Sequence, residues 1–101
     1  MLNGIKIIEY NTFFKKFLGL MFKNKNINYG IRLKNCNCIH TFFMKFNIDV
    51  IITDKNNMVL YVKQNLKKNK ITPFIKNGYY TYEAKSGSFN NIKVNSIIKM
   101  K

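Results

Sequence analysis

Tryptophan is absent from this 101-residue chain, proline and histidine occur once each, cysteine twice and acidic residues only four times. Each scarcity excludes something. Two cysteines one residue apart, Cys36 and Cys38, cannot easily bridge to each other, so no disulfide framework is expected and a reduced, cytoplasmic setting is the default. No apolar run approaches the ~18 residues that a membrane-spanning helix needs. The start, MLNGIKIIEYN, carries one lysine, a short apolar run and then Glu9, which does not read as a secretory signal. No internal repeat, linker or low-complexity tract divides the chain, and residues 1–101 read as one domain. There is no Gly-rich phosphate loop, nucleophile elbow or metalloprotease motif.

What is abundant is apolar side chain and lysine. Hydrophobic residues make up 47% and aromatics 15%, which excludes disorder. A chain of this size buries roughly 60–70% of its unfolded surface, enough for one small core. The net charge is +14, from 18 Lys+Arg against 4 Asp+Glu, and Arg32 is the sole arginine. Such an excess invites an anionic partner: nucleic acid, phospholipid or an acidic protein. Compositional bias toward Lys, Asn and Ile is the plainer explanation. The lysines are scattered, with Lys67, Lys68 and Lys70 the densest cluster, and Arg, the usual reader of base edges, is nearly missing. Weak non-specific polyanion binding is expected either way.

The pattern of side chains predicts short strands joined by short turns. Strands are expected over Gly4–Glu9, Tyr29–Lys34, Ile39–Met44, Ile48–Thr53, Met58–Lys63, Tyr79–Lys85 and Ser96–Met100, where β-branched and aromatic residues concentrate. A short helix is expected over Phe13–Leu18, capped by Asn11 or Thr12 and stopped by Gly19. Its apolar stripe, Phe13, Phe14, Phe17, Leu18 and Met21, suits core packing better than a membrane surface. Asn35–Asn37 and Asp54–Asn57 read as turns. In the Tyr79–Lys85 strand, alternation puts Tyr80, Tyr82 and Ala84 on one face and Tyr79, Thr81 and Glu83 on the other. The fold class is mostly β, α+β at the margin: a small, partly closed β-barrel or rolled antiparallel or mixed sheet with one short helix.

Several pieces recur together in order: Gly19-Leu20-Met21 after the helix, Ile39 to Phe46 (IHTFFMKF), Ile48-Asp49-Val50, a turn carrying Asp54 ahead of Val59, and Glu83 ahead of Gly87. Their order and spacing resemble the bacterial and archaeal family known as domain of unknown function 192, over about Gly4 to Met100. The resemblance implies a compact, mostly β domain with one short helix and no established activity, so no catalytic role or cofactor comes with it. The chain departs from the family's pattern at three places. Asn47 stands where proline is common, Tyr82 to Gly87 (YEAKSG) is a divergent form of an LELPAG stretch, and Asn95-Ser96 replaces a terminal Gly-Asp. Many relatives carry signal peptides, which is not expected here.

The segment Cys36–Asp54 gathers both cysteines, the histidine and two of the four acids. Cys36, Cys38 and His40 share strand parity, but successive same-face Cβ atoms lie ~6.5–7 Å apart, wider than tetrahedral zinc favours, and a fourth ligand is missing. A Cys–His nucleophile pair lacks a third group to orient His40. Asp49 sits in an apolar strand and needs a partner or a shifted pKa. Its structural reading, a satisfied anchor fixing register, ranks ahead of a ligand-binding or acid/base role. Glu83 is either the second of two converging carboxylates or paired to a lysine on a solvated face. The strand tyrosines Tyr61, Tyr79, Tyr80 and Tyr82 either pack the sheet or stack bases. The tentative ligand-binding surface is therefore His40, Thr41, Met44, Asp49 and Glu83, with no catalytic or metal residue assigned. The leading function is a non-catalytic module that binds a ligand or protein. The alternatives are a basic nucleic-acid-binding module and, lower, a small hydrolase using Asp49 with His40 or Glu83.

Overall fold

The computed structural model describes residues 1–10, 12, 19–20, 23 and 27–100. Five strands are present: β1 (Lys6–Tyr10), β2 (Tyr29–Lys34), β3 (Ile48–Thr53), β4 (Val59–Leu66) and β5 (Tyr80–Lys85). They form one sheet in the order β1-β2-β5-β3-β4. β1 runs parallel to β2, and the pairs β2–β5, β5–β3 and β3–β4 are antiparallel. The sheet is thus mixed and open, with β1 and β4 at its edges, and the fold is mostly β. The helix expected over Phe13–Leu18, with Met21 in its stripe, lies outside the described residues.

The interior position of β3, between β5 and β4, follows from its composition. Ile48-Asp49-Val50-Ile51-Ile52-Thr53 is buried along its whole length, as a strand covered on both faces requires. Alternation divides the core in two. Ile31, Leu33, Ile48, Val50 and Ile52 pack with Leu20, Met44 and Phe46 on one face. Ile51, Tyr82 and Ala84 pack with Leu2, Phe89 and Ile98 on the other. The β5 alternation expected from sequence matches this division.

Turns depend heavily on asparagine. Of the non-glycine residues with positive φ among those described, all are asparagines except Phe43, and they include Asn35, Asn57, Asn65, Asn69 and Asn77. Asparagine tolerates this left-handed region because its short polar side chain bonds locally. In the β3–β4 hairpin, Asp54 Oδ1 accepts from the Asn56 and Met58 amides at 2.8 and 3.0 Å, and Asn57 takes φ +64°.

Two expected strands are corrected. Ile39–Met44 does not extend: His40 makes one bridge to Ile71, the Met44 amide then turns back to the Thr41 carbonyl, and Phe43 at φ +63° is incompatible with a strand. Ser96–Met100 forms a bridge, Met58 to Ile97, rather than a strand: Ser96 and Ile98 bond back to Val59 and Asn57, and the chain turns at Asn95, φ +75°.

Gly30 has a packing reason. A Cβ there would lie 2.9 Å from the Glu83 carbonyl oxygen and 2.9 Å from Ile7 Cδ1. Gly30→Ala should therefore overpack the β1–β2–β5 contact and lower stability by about 1–3 kcal/mol, read as a reduced denaturation midpoint with an unchanged denaturant slope.

Candidate functional site

The two internal carboxyls lie on neighbouring strands, yet they do not converge. In the β3–β5 register Asp49 faces Ala84 and Val50 faces Glu83. Paired residues point to the same side of a sheet and consecutive ones to opposite sides. Asp49 therefore projects toward the Tyr82 and Phe89 layer and Glu83 toward the Val50 and Leu20 layer.

Asp49 is 1% exposed. Its Oδ1 accepts from the Asn65 amide at 2.9 Å, and its Oδ2 from the Gly87 and Phe89 amides at 3.0 Å each. Three backbone donors occupy this carboxylate. They tie β3 to the turn after β5 and to a bulge in β4, where the register shifts between Ile48 and Val50 and Asn65 takes φ +55°. The Asn65 side-chain oxygen accepts from Asn47 Nδ2 and Ser86 Oγ, extending the knot.

Glu83 is buried with one carboxyl oxygen unpaired among the described residues. It is 1% exposed, and the unpaired atom is Oε1. Burial pushes its carboxyl up to about 8, because a desolvated carboxylate is costly and the proton is retained instead. This corrects the reading of Glu83 as a lysine partner on a solvated face. Gly19 covers it: a Cβ at Gly19, whose φ is +52°, would lie 3.5 Å from Glu83 Oε1.

His40, Thr41 and Met44 belong to a short ribbon that runs antiparallel to residues 70–75. The Thr41 amide donates to the Lys70 carbonyl, Thr72 to Ile39 and Ile75 to Asn37. Thr41 is the buried pin: its hydroxyl donates to the Lys67 carbonyl at 2.7 Å and accepts from the Lys70 amide at 2.7 Å. Met44 is core. His40 is half-buried; its Nδ1 accepts from the Phe42 amide and its ring stacks on Phe42 at 5.1 Å. Among the described residues no hydrogen bond joins His40 to Asp49 or Glu83.

The thiols lie beside this ribbon. Burial raises the Cys36 thiol above its ordinary range, and its Sγ donates to the Cys38 carbonyl, so it is poorly suited to thiolate chemistry. Among the described residues no three His, Cys, Asp or Glu side chains gather in a metal-binding group.

Sequence reasoning missed one open feature among the described residues. Beside edge strand β4, a groove of about 560 Å³ is lined by Tyr61, Lys63, Leu66, Lys67, Lys70 and Ile71. Its walls come from the strand and from the turn that Thr41 pins, and its bulged side is set by Asp49 through Asn65. The Lys67–Lys70 cluster was the available signal, but pairing it with Tyr61 and Lys63 needs the fold. No helix among the described residues is long and apolar enough to cross a membrane.

The model of the family DUF192, described as "Uncharacterized ACR", matches residues 3–100. Among curated proteins no sequence match was found. Two solved structures share the fold. One is a protein of unknown function from Novosphingobium aromaticivorans DSM 12444, with TM-score 0.81 and 14% identity, covering 95% of this chain and 75% of that one. The other is a protein from Sinorhizobium meliloti 1021 described as a "putative transcription regulator", with TM-score 0.79 and 10% identity, covering 92% and 79%.

Proposed function

The chain belongs to the DUF192 family, and from that premise we propose that it is a non-catalytic binding module for an anionic partner. Its working surface is the groove beside β4 together with the adjoining His40 ribbon. One observation carries this reading: Lys63, Lys67 and Lys70 line the same groove as Tyr61 and Ile71, and no acid lines it. Of the residues marked in the sequence, His40 stands at the rim, Thr41 fixes the lysine turn, Asp49 shapes the bulge, and Met44 and Glu83 support from within. Positive charge with a concave wall concentrates anions.

A second reading, single-stranded nucleic acid, is favoured by Tyr61, since a ring among lysines offers a base a stacking plane while the lysines track phosphates. It agrees with the description of the Sinorhizobium meliloti protein, although that likeness speaks for fold alone.

A labelled oligothymidylate and a heparin fragment, titrated at several salt concentrations, test both readings. The double variant Lys67→Ala/Lys70→Ala should bind each probe on the order of tenfold more weakly at low salt and lose about two from the log–log salt slope. Unchanged binding would overturn the groove assignment. Retention of oligothymidylate over heparin at raised salt supports nucleic acid, and equal behaviour supports a general anion surface.

A further inference from the structure

Edge strand β4 is only partly covered by the chain itself. At its start the Val59 amide donates to the Ser96 carbonyl and the Val59 carbonyl accepts from the Asn95 amide, each at 2.8 Å. Residues 95–96 thus take the place of a further strand, and at Asn95 the chain turns. Further along, a bulge places Leu60 and Tyr61 together opposite Ile52, and Lys63 pairs with Val50. Tyr61 and Lys63 therefore bond inward to β3, and Val62 between them turns its N–H and C=O to the open edge. Among the described residues no other segment bonds these two groups, and Lys63, Gln64 and Asn65 beside them are exposed. The groove lies along this open stretch, with Lys67 and Lys70 on its far wall.

We propose that the open stretch of β4 takes an acidic, extended segment of a partner protein as an added strand, whose acids at alternate positions meet Lys63, Lys67 and Lys70. The proposal rests on the groove reading and names its partner. Main-chain bonds along a sheet edge give such a peptide affinity, and sites for alternate side chains give it selectivity. Alternate residues of an added strand recur every ~6.5–7 Å on one face. Acids at every second position would all face the groove, while the residues between them lie beside Val62 and Gln64. A phosphodiester backbone accepts hydrogen bonds and donates none, so it meets the lysines and leaves the Val62 carbonyl unmet. A second copy of this chain carries the same +14, and lysine on an edge strand discourages such self-pairing.

The test is a titration of the full chain with a labelled peptide of about six residues, alternating glutamate and valine, with the heparin fragment as reference. Two analogues of equal charge accompany it, one N-methylated at its glutamates and the other at its valines. The parent peptide should bind and should slow exchange of the Val62 amide. The more affected analogue should bind on the order of tenfold more weakly. Val62→Pro deletes an outward N–H that an edge strand can spare; it should lose peptide affinity to a similar extent and keep heparin binding. If that variant does not fold, the N-methylated peptides decide alone. Equal binding of all three peptides, or binding that leaves Val62 exchange unchanged, would overturn the added strand and mark the groove as a surface that reads charge only. Heparin or oligothymidylate binding without peptide binding would overturn the acidic-peptide assignment and leave the anion reading standing. Failure of the wild type to bind any of these probes would overturn both.

Discussion

Asp49→Ala should lower the stability of the domain by about 3–5 kcal/mol. The Asn65, Gly87 and Phe89 amides all donate to this side chain. Removing it strands three largely buried N–H groups, each costing about 1–3 kcal/mol when unpaired, with partial relief from relaxation. Asp49→Asn keeps one accepting oxygen but turns an NH2 toward an amide donor, so about 2–3 kcal/mol should be lost. Chemical denaturation at neutral pH reads both. The bulge at Asn65 should loosen first, giving faster amide exchange there than in the rest of β4. A loss below about 1 kcal/mol would mean that other acceptors, or water, can serve these amides.

Glu83→Gln should act in the opposite direction at alkaline pH. Below pH 4.5 the carboxyl is protonated in both folded and unfolded chains and contributes no pH dependence. Between 4.5 and about 8 the unfolded chain releases the proton while the folded protein retains it. The folded state then binds more protons, so stability falls as pH rises, by about 1.4 kcal/mol per pH unit. Above about pH 8 both states are ionised and the slope vanishes. The accumulated loss is on the order of 5 kcal/mol. Glutamine fills the same space without titrating. The difference between variant and wild-type stability should be small at acid pH, grow through neutrality and plateau above pH 8. Because lysines and tyrosines cancel in that difference, parallel curves would show that Glu83 ionises freely in the folded protein.

These two acids also show how far the sequence could be read. The bounds of β2 and β3 were legible because YGIRLK and IDVIIT are dense in apolar and β-branched residues between clear breaks. The alternation in β5 was legible too, and it assigned Glu83 a face. What a single strand's pattern cannot carry is register. Only the pairing of Asp49 with Ala84 separates the two carboxyls, and that pairing is set by contacts between distant segments. The bulge of β4 at Asn65 is equally silent in sequence, since it lies where Asp49 captures the Asn65 amide.

The failed strand at Ile39–Met44 has a local cause of a different kind. Its β propensity is high, but the Thr41 hydroxyl takes over the backbone groups of Lys67 and Lys70, and the chain turns at Phe43 instead of extending. Side-chain capture of backbone groups overrode propensity here. The asparagines were partly legible. Read as compositional bias they say nothing, but read as left-handed positions they mark Asn35, Asn57 and Asn77 as turns. The groove was out of reach because Tyr61 and Lys70 meet only once β4 and the pinned turn are assembled.

The central claim is that function lies on the lysine-lined surface while the buried acids hold the frame. The most direct measurement is a side-by-side titration of the labelled oligothymidylate and heparin fragment against wild type, Glu83→Gln and Lys67→Ala/Lys70→Ala at fixed low salt. The account predicts wild-type affinity for Glu83→Gln and on the order of tenfold weaker binding for the lysine variant. Loss of binding in a folded Glu83→Gln protein, with the lysine variant unaffected, would contradict it.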